Sequence, residues 1–432
     1  MKLKWRNKVY SGALQFTIFI SVIIALLLTG VIFLISTHRY FSEQSKAIID
    51  NIQLAETGIN YLKLQPYPNP DTIALNVPEI RNEQNINVHL SQWGIYEKAY
   101  VKTIHRKKVF IKCALLGSKI KKENRLSLYL AETNKPLMVV GNTRIDGNAA
   151  LPQQGVRTGN ITGHSYYNNQ LVYGTVEKSE PTLPKLKYDY RETANYYLNS
   201  YEPLNNDYFI DIIPGTVTQQ SFTKPTKYYT NTSAVILDNI TLKGNIIIHS
   251  EEKITVTSSA LLSDVILSAP VIEVLDNVTG NFQAFANTTI KIGKNCRLNY
   301  PSALVLIENK EHNIAPTGTF NQYLNKLYVN EGCTIKGTLC YIKDKNTESN
   351  FTANIFIANN CQIEGEVYCE KNLELRGNVK GSVYTEQFLT YEGGTNFINH
   401  LYDVTLVSGK LPEDFGGILF QNQQKTVAKW IY

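Results

Sequence analysis

Cys333-Thr334-Ile335-Lys336-Gly337 and Cys361-Gln362-Ile363-Glu364-Gly365 are near copies, and Asn378-Val379-Lys380-Gly381 repeats their ending. Each alternates polar with apolar residues and closes on glycine. Gly365 and Gly381 are 16 residues apart, and so are Gly147 and Gly163. Gly337 and Gly365 are 28 apart, and the polar tract 343–354 accounts for the extra 12 as a loop. The same ending recurs at 239–244 and 277–280. Aligning on the glycines puts Ile335, Ile363 and Val379 in one column and Leu339, Val367 and Val383 in another.

Fixed-period self-similarity with loop insertions marks stacked coils, because one coil cannot bury its apolar face alone. Strands about 4.8 Å apart then place like residues over like. Glycine suits corners that need positive φ, and Asn239, Asn277, Asn359 and Asn360 tolerate the same region. Strand runs at 245–249, 253–257, 264–267 and 271–275 lack Asn-Gly hairpin turns between them. That favours a parallel β-helix over an antiparallel sandwich. The expected fold class is mainly β: a parallel β-solenoid of right-handed type over 230–410, with irregular coils and insertions.

Outward from this block, 136–178 carries the same glycine signature and reads as the first solenoid-like coils. Residues 179–229 read as a Tyr- and Pro-rich insertion or linker, with a helix near 191–198. Residues 411–432 form a C-terminal tail. Upstream, 69–135 reads as a small basic β-containing unit, with strands expected at 100–116 and 125–132.

The N-terminus has a different grammar. Lys2, Lys4, Arg6 and Lys8 give a basic leader, 1–12, and no Asp, Glu, Lys, Arg or His follows until His38. The apolar run from Phe16 to Ile35 is long enough for the roughly 20 residues that cross a bilayer. A cleaved secretory signal has a shorter core and an A-x-A-like site, so 13–37 reads as an uncleaved transmembrane helix. Its basic flank belongs in the cytoplasm, which puts the bulk of the chain outside it, periplasmic or extracellular. Residues 38–65 continue as an amphipathic helix, with Phe41, Ile48, Ile49, Ile52, Ala55, Ile59 and Leu62 at three- and four-residue steps. Pro66 and Pro68 end it.

A basic leader followed by one long helix, apolar first and amphipathic later, resembles type IV pilins and pseudopilins. Gly12 and Ala13 stand where those precursors are processed, so the resemblance implies cleavage after Gly12. The family usually carries Glu at the fifth mature position; here it is Thr17. That departure points to a minor, tip or accessory type. The Gly-ended coils in turn resemble bactofilin-like polymer-forming modules and the solenoid portions of pilus-accessory proteins.

The chain has 432 residues, 43% hydrophobic and 19% charged, with a formal charge of +6. The leader supplies +4. Residues 102–125 supply +8, nine basic side chains against Glu123 alone. Taking both from +6 leaves −6 elsewhere, so a nucleic-acid partner is not expected. Within the basic segment Arg106, Lys107, Lys108, Lys119, Lys121 and Lys122 are candidate contacts for an anion such as a lipid headgroup or envelope glycan. The plainer reading is the solvated face of a two-stranded ribbon.

Cys333 and Cys361 fall in equivalent places with inward parity, about 5 Å apart if stacked. That makes them a candidate disulfide, or simply small core residues. No cofactor or metal is expected: the cysteine spacings do not match zinc pairs and the seven histidines are scattered. Glu364, Glu366, Glu370 and Glu374 point outward, either as a glycosidase-like carboxylate set or as solvating charge. Nucleotide-binding and hydrolase motifs are missing, so an enzyme is not expected. The leading expectation is a membrane-anchored extracytoplasmic structural protein, accessory to a pilus-like or secretion assembly. The alternatives are an envelope glycan-binding module and, third, a β-helix carbohydrate-active enzyme.

Overall fold

The computed structural model describes residues 11–75, 84–106, 108–198, 208–308, 326–344 and 351–431. The protein is mainly β, with one long helix, α1 (Ser11–Leu64), and a short one, α2 (Tyr190–Leu198). At 1.5 Å per residue the 54 residues of α1 extend about 80 Å. Four of the hydroxyl side chains in the apolar half are satisfied internally. Thr17, Ser21, Thr29 and Thr37 each return a hydroxyl to a carbonyl one turn earlier, the arrangement a helix without water needs. The helix stops where the sequence places prolines, with Gln65 N–H closing the last turn onto Leu62 O at 3.2 Å.

The chain forms two compact units. The first comprises the described parts of 1–58, 73–87 and 101–111, and the second those of 59–72, 88–100 and 112–432. In the first, α1 buries Ala47, Asn51 and Ala55. Asn51 donates to Lys108 O at 3.1 Å and accepts from Thr103 Oγ1 at 3.2 Å on its own carbonyl. The strands Tyr96–His105 and Lys108–Lys119 contribute residues 101–105 and 108–111 to this unit. The single strand expected over 100–116 is therefore two, broken by a turn at Arg106, whose φ is +47°.

The second unit holds a large parallel sheet built of three ladders. One runs through Val217–Gln220, Thr241–Gly244 and the starts of the later long strands. A second runs through Lys227–Asn231 and Ile246–Ser250 and then through the middles of those strands. A third joins Val235–Leu237, Lys253–Val256, Val271–Val274, Thr289–Ile292, Lys326–Val329 and Ile355–Ile357. The glycine-aligned columns appear in register: Ile335 opposite Ile363 opposite Val379, and Leu339 opposite Val367 opposite Val383. Inward side chains of all three ladders feed one hydrophobic cluster.

The glycine at each corner answers a steric demand. Gly365 has φ +153°, and a Cβ there would lie 1.9 Å from Gly337 O. The asparagine corners are left-handed too, Asn239, Asn277 and Asn360 at φ +47°, +62° and +59°.

Residues 136–178 do not come first in the pairing order. Val383–Thr385 pair with Leu128–Leu130, Thr405–Val407 with Arg144–Asp146, and Ala149–Leu151 with Val176–Lys178. These strands therefore extend the sheet beyond 378–407, whereas its other end begins at Val217–Gln220 and Lys227–Asn231. Val217–Gln220 falls in the stretch 179–229 expected as an insertion or linker, and Lys227–Asn231 crosses from it into the expected solenoid. A repeat pattern states which residues stack and carries no information on which end of the stack a segment joins.

The ladders differ in burial. Third-ladder strands alternate, as in Lys326–Val329. Second-ladder stretches are buried at consecutive positions, as in Arg297–Ile307, because a second layer covers their outer face. Gln283 receives Ile95 N–H at 2.9 Å and donates to Trp93 O at 3.1 Å. Tyr197 of α2 lays its ring 5.0 Å from that of Phe285.

Candidate functional site

Gly12 and Ala13 lie at the start of α1, and a side chain at Gly12 would meet nothing within 4 Å. The helix from there is the one described element long and apolar enough to cross a membrane. Its apolar side chains are uncovered all round, with Phe33 73% exposed. A helix hydrophobic on every side requires an apolar surrounding.

Cys333 and Cys361 are free, as are the other four cysteines. They form a column with Cys296 in which each thiol donates to a carbonyl of the preceding coil: Leu275 O at 3.1 Å, Gly293 O at 3.0 Å and Asn330 O at 2.9 Å. Hydrogen bonding with the Cys296 and Cys361 thiols, reinforced by burial, pushes the Cys333 thiol up. The same bonds push the Cys296 and Cys361 thiols down.

The basic segment is divided between the two units, 101–111 in the first and 112 onward in the second. Arg106 sits in the turn between two strands, 3.6 Å from Glu43, and Lys108 begins the next strand; Lys107 lies outside the described residues. Lys119, Lys121 and Lys122 are at the opposite end of that twelve-residue strand or just past it. Lys112 caps the ring of Trp430 at 3.9 Å. Arg125 is buried and bonds the carbonyls of Leu411, Ile120 and Pro412 at 3.1–3.2 Å. Strand geometry disperses what the sequence lists as neighbours.

Two of these lysines do converge with residues from elsewhere. Lys119 and Lys121 line a cavity of about 590 Å³ together with Lys185 and the amide run Gln421-Asn422-Gln423-Gln424. The volume is in the range of ligand sites. Its floor is aromatic. Tyr384 stands in register with Tyr368 and Tyr129 on the outer face of the second ladder, and Phe420 packs 5.1 Å from the Tyr384 ring. The walls are pinned by backbone: Gln421 N–H to Lys185 O at 2.9 Å and Lys187 N–H to Leu419 O at 2.7 Å. Phe420 N–H adds a bond to Ser118 Oγ at 2.9 Å. Asn422 turns the chain at φ +61°. Lys119 holds Asp414 at 2.5 Å.

Glu366 secures this wall from behind. Its Oε2 accepts Ile418 N–H at 2.7 Å, and a side chain on Gly417 would collide with its carboxyl. Burial pushes Glu366 up to about 7, against the Ile418 hydrogen bond and the Arg125 charge. The expectation of solvated outer glutamates is thus corrected at this position: Glu366 faces outward from the sheet but under the covering layer. Glu364 bridges Lys336 and Lys380 at 3.0 and 3.1 Å, Glu370 meets Arg191 at 3.3 Å, and Glu374 meets Arg376 at 2.7 Å. Each is committed to a neighbouring cation. A second buried carboxylate, Glu97, takes Lys187 at 2.6 Å and contacts both Lys425 and Tyr188. Among the described residues no group of three or more His, Cys, Asp or Glu is placed to hold a metal.

Sequence reading missed Lys185 and the 421–424 amides. The four consecutive amides were a visible signal; their meeting with Lys119 and Lys121 was not. No family model, curated protein or solved structure matches this chain.

Proposed function

We propose that this is a single-pass membrane protein that presents a parallel β-solenoid on the extracytoplasmic side as a structural or assembly component. The observation that carries the reading is α1, unbroken from Ser11 to Leu64, uncovered through its apolar half. Lipid is the surrounding such a helix requires. The basic leader orients it with the N-terminus inside.

Past the apolar half, Phe41, Ile48 and Ile52 keep one side of the helix apolar and exposed. On a helix these three fall on one face, which suits lateral packing with another helix in a pilus-like or secretion assembly. The solenoid reading is supported by three parallel ladders, corners of Gly and left-handed Asn, and one core fed from every ladder. Such a rod offers long faces for interaction.

N-terminal sequencing of the protein from membranes tests the pilin-like part. A mature terminus at Ala13 supports it, and an intact Met1 refutes it while leaving the anchor in place. Protease protection in closed vesicles tests orientation: digestion of the 230–410 region from the cytoplasmic side overturns the topology.

A further inference from the structure

We propose that the cavity floored by Tyr384 and Phe420 binds an anionic oligosaccharide, a chain of sugar units bearing carboxylate or phosphate groups. The inference goes beyond the assembly reading and does not rest on it.

Charge selects the sign of the ligand. The lining holds Lys119, Lys121 and Lys185 and no carboxylate. Asp414 engages Lys119, but among the described residues neither Lys121 nor Lys185 has an acidic partner within 4 Å. Both side chains are exposed. A concave wall with two uncompensated cations concentrates anions. In the neighbouring cavity, about 530 Å³, which shares Lys185, the other cations are paired with carboxylates. There Arg191 is taken by Glu370 at 3.3 Å and Lys343 by Glu386 at 2.5 Å.

The amides select the rest of the ligand. A bare inorganic anion needs donors only. Asn124, Gln421, Asn422, Gln423 and Gln424 each offer a carbonyl as well as an NH₂, so the rim both donates and accepts. Sugar hydroxyls do the same. Tyr384 and Phe420 close the bottom of the cavity as buried rings, and the half-buried Pro184 beside them offers a sugar ring an apolar contact. The volume accommodates about two or three sugar units. Lys119 and Gln424 are paired strand residues, Tyr384 belongs to the parallel sheet and Phe420 is bridged to Leu186, so these parts of the site are held by backbone pairing before a ligand arrives.

The test is calorimetric titration of the full chain in an uncharged polyoxyethylene detergent. The probes are trigalacturonate, its neutral methyl ester, glucose 6-phosphate, inorganic phosphate and phosphatidylglycerol vesicles. Binding of trigalacturonate or glucose 6-phosphate at least tenfold tighter than the ester is the expected result, and which of the two leads names the anionic group. Lys121→Glu with Lys185→Glu should lose at least tenfold. Asn422→Gly, which keeps the left-handed turn, should weaken sugar binding and spare any binding of phosphate. Unchanged thermal unfolding of the exposed-lysine variant excludes misfolding as the cause. The proposal is overturned if no sugar binds, if the ester binds as well, if inorganic phosphate matches the sugars, or if only vesicles bind.

Discussion

Phe285 and Thr255 both point outward from the same parallel sheet, yet one is fully buried and the other half-exposed. Phe285 belongs to the second ladder and lies under α2; Thr255 belongs to the third, between Ile236 and Glu273, where nothing as continuous covers it. The difference shows that inside and outside are settled twice in this fold. Alternation along each strand chooses which side chains enter the core. A separate layer, contributed by segments far away in the chain, decides which outward side chains become a second interior. The candidate ligand cavity lies at the margin of that layer, over the buried rings of Tyr384 and Phe420.

The largest effect should come from the corner at which the second ladder leaves the first. Gly365→Val drives a Cβ to within 1.9 Å of Gly337 O at a backbone angle β-branched residues avoid. Loss of cooperative unfolding in urea, or no recoverable folded protein, is expected. Native-like stability would show that stacking is looser than the glycine column implies. Next is Phe285→Ala, which opens a cavity beneath α2 and should cost about 3–5 kcal/mol in urea unfolding.

Glu366 gives the pH dependence that the covering layer imposes. The carboxyl is raised to about 7 from an ordinary 4.5, first by burial. The folded state keeps its proton where the unfolded chain has released it, so this group favours folding least at high pH. Its contribution is most favourable below about 4.5 and falls as pH rises to about 7, by roughly 3 kcal/mol in all. Glu366→Gln retains an acceptor for Ile418 N–H and removes the titration. The variant should therefore gain on the native protein at pH 8 by a few kcal/mol and match it at pH 4.5. A difference that does not change with pH would mean the carboxyl is better solvated than its surroundings indicate.

These residues also show what could be read in the sequence. The columns Ile335–Ile363–Val379 and Leu339–Val367–Val383 followed from glycine spacing alone, because registers in a stack repeat wherever the corner repeats. The outward direction of Glu366 was equally legible from parity. Its burial was not, since Ile418 and Gly417 approach it from 52 and 51 residues later in the chain. The same holds for the cavity. Lys119 and Lys121 were visible as charge, but Lys185 and Asn422 reach them through tertiary structure that leaves no periodic trace. The order of the stack was hidden for another reason: 136–178 matches the repeat equally well at either edge.

Thr255→Ala is the smallest expected effect and the sharpest use of the comparison. The substitution removes a hydroxyl and a methyl from an outward position in a strand whose inward neighbours, Ile254 and Val256, remain fully buried. The third ladder leaves this column in contact with solvent, so little apolar area is uncovered and no cavity is made. Alanine is a poorer strand former than threonine, which sets the sign as slightly destabilising. A change within about 0.5 kcal/mol is expected, against the several expected at Phe285. If Thr255→Ala instead cost as much as Phe285→Ala, the third ladder would also be covered in the working protein. Because Thr255 is only half-buried in the isolated chain, the cover would have to come from another molecule, and the outer column of the third ladder would become the surface on which to look for it.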